Sequence, residues 1–96
     1  MLFSGRKKKS REFEKHGLDF RTAAKVFDDE FHILSMDRVD EEGEQRWHAI
    51  GLVDDIPLLV VHAYRSTKNG EEIIRIISAR KTRDRESRRY FGQTAD

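Results

Sequence analysis

The 96-residue chain contains no cysteine. That excludes a disulfide framework and any thiolate metal site. Its single proline, Pro57, interrupts the longest apolar run, Ile56 to Val61. A membrane span needs about 20 apolar residues, so none is expected and no membrane partner is implied. The N-terminus is basic, but no apolar stretch follows it, which argues against a secretory signal. What remains is a small cytoplasmic protein, read as one domain over residues 1–96 with a basic, flexible start over 1–11. Charged residues are 39% of the chain and hydrophobic ones 36%. The core must therefore be small, and a partner would add stability.

Net charge is only +1, but the charges are segregated. Residues 1–25 carry +5, residues 26–57 carry −8, and residues 58–96 carry +4. Such asymmetry points to a polyanion, a charged protein partner, or both.

The order of elements reads as an α+β domain: two N-terminal helices, a four-stranded antiparallel sheet and a C-terminal helix. Lys8 to His16 is the first helix, ended by Gly17. Asp19 is a candidate N-cap for the second. Phe20, Ala23, Ala24 and Phe27 follow at i, i+3, i+4 and i+7, one apolar stripe facing a core. Leu2 and Phe3 are compatible with a short strand. The four main strands are Phe31 to Arg38, Glu44 to Val53, Leu58 to Ser66 and Glu71 to Ala79. Thr82 is a candidate cap for a helix over Arg83 to Phe91, where Asp84 with Arg88 and Glu86 with Arg89 sit at pairing distances.

Asn69-Gly70 favours a type I′ turn. A two-residue loop there sets Tyr64 opposite Arg75 and His62 opposite Ile77. Leu59, Val61, Ala63, Ile74, Ile76 and Ser78 then form a face for helices to cover. Val60, His62, Tyr64, Ile73, Arg75 and Ile77 form the other, a partly covered groove. Arginine grips phosphate in a bidentate way, histidine titrates near neutrality, and tyrosine can relay a proton. This groove therefore suits a phosphodiester, and the simpler alternative is a plain cross-strand Tyr64–Arg75 pair. His48 joins the groove only if the loop at Asp54 to Ile56 has three residues. Arg80 and Lys81, just before a helix start, make a second candidate phosphate contact at the junction to Arg83. The acidic middle, residues 28–44 and 54–55, is expected to lie away from the groove. His16, His32, His48 and His62 show no metal-ligand spacing, and no phosphate loop or nucleophile elbow is present. Neither metal nor cofactor is expected.

The order of several fragments resembles the BrnT toxin family. Lys15-His16-Gly17-Leu18-Asp19-Phe20, followed by Ala23-Ala24 and Val26-Phe27-Asp28-Asp29, resembles its opening. Arg46, Ile50 and Gly51 look like its "R-x-x-x-I-G" strand. Leu59 to His62 with Arg65 resembles the central strand. Arg75 to Lys81, with Glu86 and Tyr90, is similar to its "RIISAR" ending and following helix. The family's Phe-x-Trp-Asp opening is replaced here by Phe3-Ser4-Gly5-Arg6. Glu12 stands where asparagine is usual, and Thr82 where alanine is common. The resemblance implies a RelE-like fold and a ribonuclease toxin of a type II toxin–antitoxin pair that inhibits translation. It also implies a BrnA-like antitoxin with a ribbon-helix-helix domain, a heterotetrameric complex, and contact with operator DNA only through that antitoxin.

Together these readings give a metal-independent endoribonuclease acting on RNA. Arg75 and Arg80 would hold the scissile phosphate. His62 is the first candidate for base or acid, with Tyr64 and then His16 behind it. Lys15, His16, Lys81 and Arg83 would contact RNA. Two alternatives follow from the residues: a catalytically inactive toxin-like co-repressor, motivated by the altered opening, and a small RNA-binding domain, motivated by the basic ends.

Overall fold

A computed structural model of the chain describes residues 2–5 and 18–93. The helix expected over Lys8 to His16, and the candidate residues Lys15 and His16, lie outside the described residues. The architecture is α+β, but the sheet is mixed and has five strands in place of four. They are β1 (Leu2–Gly5), β2 (Ile33–Val39), β3 (Gln45–Val53), β4 (Ile56–Ser66) and β5 (Glu72–Lys81). The spatial order is β1-β5-β4-β3-β2. β1 runs parallel to β5, and the other pairs are antiparallel.

Helix α1 (Phe20–Ala24) continues directly into a 3₁₀ turn over Lys25–Asp28. Asp19 caps it, its carboxylate accepting from Thr22 N at 2.8 Å. The expected apolar stripe packs on one sheet face. Ala23 and Val26 are buried among Ala49, Val53, Leu58, Val60, Ile74, Ile76 and Ala79, with Phe20, Ala24 and Phe27 against them. The approach of this helical segment is close because position 51 is glycine. A Cβ there would lie 2.9 Å from the Val26 carbonyl oxygen and 3.2 Å from His32 Cβ. Helix α2 (Asp84–Gly92) covers part of the opposite face, where Tyr90 packs on Ile50 and Leu59.

Asp29 ties these layers together. Its carboxylate accepts from Leu52 N at 2.8 Å, from Phe31 N at 2.9 Å, and from the Tyr90 hydroxyl. One side chain thus links the end of the 3₁₀ turn, strand β3 and helix α2. Although partial burial opposes ionisation, the bonds from Leu52, Tyr90 and Phe31 hold this carboxyl below the usual range.

Two connections decide which residues share a face. Asp54 and Asp55 have φ of 50° and 65°, and Val53 pairs with Ile56, so this loop has two residues. Left-handed φ at both central positions is the requirement of a type I′ turn. At the other hairpin Gly70 alone is left-handed, with φ of 82°. Gly70 N donates to Thr67 O, and Thr67 N donates to Glu71 O. The Thr67 hydroxyl also accepts from Glu71 N at 3.1 Å. The loop is therefore Lys68-Asn69-Gly70, three residues with glycine at the left-handed position, and not the expected two-residue type I′ turn.

That extra residue shifts the register by one, and a one-residue shift moves a strand's side chains to the other face. Tyr64 lies opposite Ile74, and His62 opposite Ile76. Further along, an irregularity between Val61 and His62 restores the register set by a two-residue loop, with Val61 opposite Ser78 and Leu59 opposite Arg80.

The C-terminal helix also departs from expectation. Arg83, not Thr82, is its N-cap. The Thr82 hydroxyl instead bonds the Ser87 hydroxyl at 2.6 Å and donates to Pro57 O at 3.4 Å. Glu86 turns back to accept from Arg83 N and to pair with Arg80, and not with Arg89.

Candidate nucleic-acid interface

The register shift divides the expected groove in two. His62 and Tyr64 share a face with Val60, Ile74 and Ile76, beneath the 3₁₀ turn. Arg75 lies on the opposite face with Leu59, Val61, Ala63 and Ile73. Arg80 belongs to that second face as well, opposite Leu59. The four residues expected to act together are therefore not brought together.

His62 has no exposed surface. Its ring stacks edge-on against Phe27 and Tyr64, with centroids 5.0 and 5.1 Å apart. Nδ1 lies 3.4 Å from the Val60 carbonyl oxygen and Nε2 lies 3.1 Å from the Tyr64 hydroxyl. A carbonyl can only accept, so Nδ1 carries the proton, and Nε2 accepts from Tyr64. Burial pushes the imidazole down from 6.5 to about 4, so it is neutral at physiological pH. Tyr64 is 37% exposed, and its hydroxyl is pushed up by partial burial and then by the charge of Glu72. Trp47 stands beside it, with ring centroids 5.9 Å apart.

The Arg75 face holds most of the remaining ionisable chemistry. Arg75 Nη1 donates to both oxygens of Glu44, at 2.9 and 3.1 Å, and Arg65 donates to the same carboxylate. Both Arg75 bonds use Nη1. The Nε–Nη2 edge of its guanidinium makes no hydrogen bond to another described residue, and the side chain is 18% exposed. Arg46 pairs with Asp40 at 3.3 Å. Arg80 makes a two-bond fork with Glu86, 2.8 Å for each bond. That fork draws the Glu86 carboxyl down to about 2, against the opposing effect of burial, and raises Arg80 further. Arg83 is exposed just beyond it, while Lys81, opposite Leu58, is exposed on the other face.

The acidic middle does not stay clear of this face. Asp40 holds Arg46, Glu44 holds both Arg65 and Arg75, and Asp37 lies 3.5 Å from His48 Nε2. Acidic and basic side chains alternate here, so the face is a lattice of ion pairs and not a bare cationic patch. The sequence hides this arrangement because each pair joins residues on different strands or turns. Only the asymmetry of charge between segments pointed to it.

His48 does not join the His62 groove. With the two-residue loop at Asp54 and Asp55, it lies opposite Val61, not His62, and so on the Arg75 face. Among the described residues, no cluster of three His, Asp or Glu side chains forms a metal-sized site. Also among them, no helix is long and apolar enough to cross a membrane.

Comparison with known sequences adds one finding. Residues 5–86 match the profile of a family described as the ribonuclease toxin BrnT of type II toxin–antitoxin systems. A search of curated proteins returned no match. The matched segment contains Arg46, His48, Arg65, Arg75 and Arg80, and so spans the whole ion-pair lattice.

Proposed function

This chain belongs to the BrnT family of ribonuclease toxins of type II toxin–antitoxin systems, and on that premise we propose that it is a metal-independent endoribonuclease whose RNA cleavage stops translation in the cytoplasm. The observation that carries the reading is the half-used guanidinium of Arg75. Glu44 fixes one nitrogen, which orients the side chain, while the Nε–Nη2 edge makes no bond to a described residue. A guanidinium presented in this way donates to two phosphate oxygens in a bidentate contact and offsets the charge of a pentacoordinate phosphorane. RNA supplies its own nucleophile, the 2′-hydroxyl, so the protein needs only cations and groups that move protons. Arg80 is the second phosphate ligand, exchanging Glu86 for the substrate, and Arg83 extends the basic path, whereas Lys81, opposite Leu58, stands on the other face. His62 and Tyr64 form a separate hydrogen-bonded pair on the other face. Only Tyr64 of the two is open to solvent.

As a type II toxin, the protein would be held inactive by an antitoxin. We infer a BrnA-like ribbon-helix-helix protein in a heterotetramer that meets operator DNA through the antitoxin alone. The exposed Leu34, Met36 and Val39 of β2, beside acidic Asp37 to Glu44, suit a basic amphipathic partner.

The test is cleavage of defined RNA by purified protein, with and without chelator. Wild type should cleave in both, and Arg75→Ala should lose about 100-fold or more in kcat/KM. Chelator-sensitive cleavage would refute metal independence, and unchanged activity of Arg75→Ala would remove the site. One observation favours a second reading. Because the arginines of this face are paired with carboxylates, a catalytically silent co-repressor is also consistent with the chemistry. Expression without antitoxin separates the two, since only a nuclease arrests growth.

A further inference from the structure

Cleavage on the Arg75 face needs a proton acceptor that His62 cannot supply, being fully buried on the other side. Among the described residues, His48 is the imidazole on the Arg75 face, with its side chain 23% exposed. Its neighbours across the sheet are Ser35 on β2 and Val61 on β4, and Val61 is itself opposite Ser78 on β5. This row adjoins the one in which Ala63 lies opposite Arg75. His48 on β3 and Arg75 on β5 are two strands apart, about 10 Å across the sheet at about 4.8 Å per strand. Both side chains project from this face on either side of β4, where Val61 is partly exposed and Ala63 is covered, so a phosphodiester seated over Val61 would lie between them.

Asp37 completes the arrangement. The pairing of β2 with β3 is irregular between Met36 and Arg38, which leaves Asp37 with no partner across the ladder. Bulges of this kind re-aim a side chain. Here the carboxylate comes to 3.5 Å from His48 Nε2.

We propose that His48 is the catalytic base for RNA cleavage on this face and that Asp37 positions it; the assignment rests on the ribonuclease reading above. With its proton on Nε2, facing Asp37, the ring offers the Nδ1 lone pair. Nδ1 takes the proton of the 2′-hydroxyl, and the 2′-oxygen forms a bond to phosphorus. The bond from phosphorus to the 5′-oxygen breaks, and the leaving oxygen takes a proton from water. The products are a 2′,3′-cyclic phosphate and a 5′-hydroxyl end. Asp37 stabilises the imidazolium formed on the way, and Arg75 offsets the added charge on the phosphoryl oxygens.

The experiment compares wild type with His48→Ala, His48→Gln and Asp37→Asn in single-turnover cleavage of a short RNA, with added imidazole as a further condition. Denaturation midpoints verify folding. Both His48 variants should lose about 100-fold or more in rate with little change in KM. Free imidazole should restore part of the rate of His48→Ala, and Asp37→Asn should slow the rate about tenfold or more at unchanged KM. The products should carry cyclic phosphate ends. A folded His48→Gln that cleaves at the wild-type rate overturns the assignment and leaves the ribonuclease reading standing. So does a loss confined to His48→Ala that imidazole fails to restore. Wild-type protein that does not cleave RNA overturns both.

Discussion

Acidification should destabilise this protein well above the range in which carboxylates titrate, because His62 is buried in its neutral form. Unfolded, the imidazole binds a proton near its ordinary 6.5; folded, it does so only at about 4. Between those values the unfolded state holds more protons than the native state, so stability falls as pH falls. The contribution is fully present above about pH 6.5. It declines from there and is lost by the time pH has dropped through the folded value near 4. Linkage puts the loss at about 2 kcal/mol between pH 8 and about pH 5, approaching about 3 kcal/mol near pH 4. Urea denaturation at several pH values measures it directly. His62→Phe removes the titrating group and keeps an aromatic ring between Phe27 and Tyr64. The difference in stability between wild type and this variant should change with pH by the amount above. A difference independent of pH from about 8 to 5 would refute the claim that the native fold excludes the imidazolium.

Three further outcomes follow from the geometry. Asp29→Ala removes the acceptor of Leu52 N, Phe31 N and the Tyr90 hydroxyl, and should cost about 2–4 kcal/mol in urea denaturation. A double-mutant cycle with Tyr90→Phe should show that the two losses are not additive. Gly51→Ala drives a methyl group toward the Val26 carbonyl and should destabilise by about 1–3 kcal/mol, read as a lower melting temperature. Glu86→Gln should remove an acid-sensitive part of stability. That part is present above the unfolded value of 4.5 and is lost as pH falls toward about 2. The variant's stability should therefore vary less over that window than that of wild type.

Local signals read well where a single segment determines the outcome. The Asp19 cap and the stripe from Phe20 to Phe27 needed only side-chain chemistry and helical spacing, and both are present. Asn69-Gly70 located a hairpin but not its loop length, because the Thr67 hydroxyl and a left-handed Gly70 select a three-residue loop. That single residue moved Arg75 to the opposite face from His62. Glu86 sits at good spacing to pair with Arg89, yet Arg80 outcompetes it by offering two bonds from a rigid strand end. Leu2 and Phe3 were readable as a strand but not as a fifth member of the sheet, since their partner lies at the far end of the chain.

That distant pairing bears on the order in which the molecule assembles. Leu2 to Gly5 lie beside Ile73 to Ile76 and, among the described residues, β1 neighbours no other strand. Closing this contact brings together segments separated by roughly 70 residues, a costly loop to close early in folding. During synthesis the first strand emerges long before its neighbour and waits for almost the whole chain. The strand that completes the sheet also carries Arg75 and Arg80, two of the proposed phosphate ligands. A growing chain therefore has neither a finished sheet nor those two cations until β5 has left the ribosome, and gains both at once.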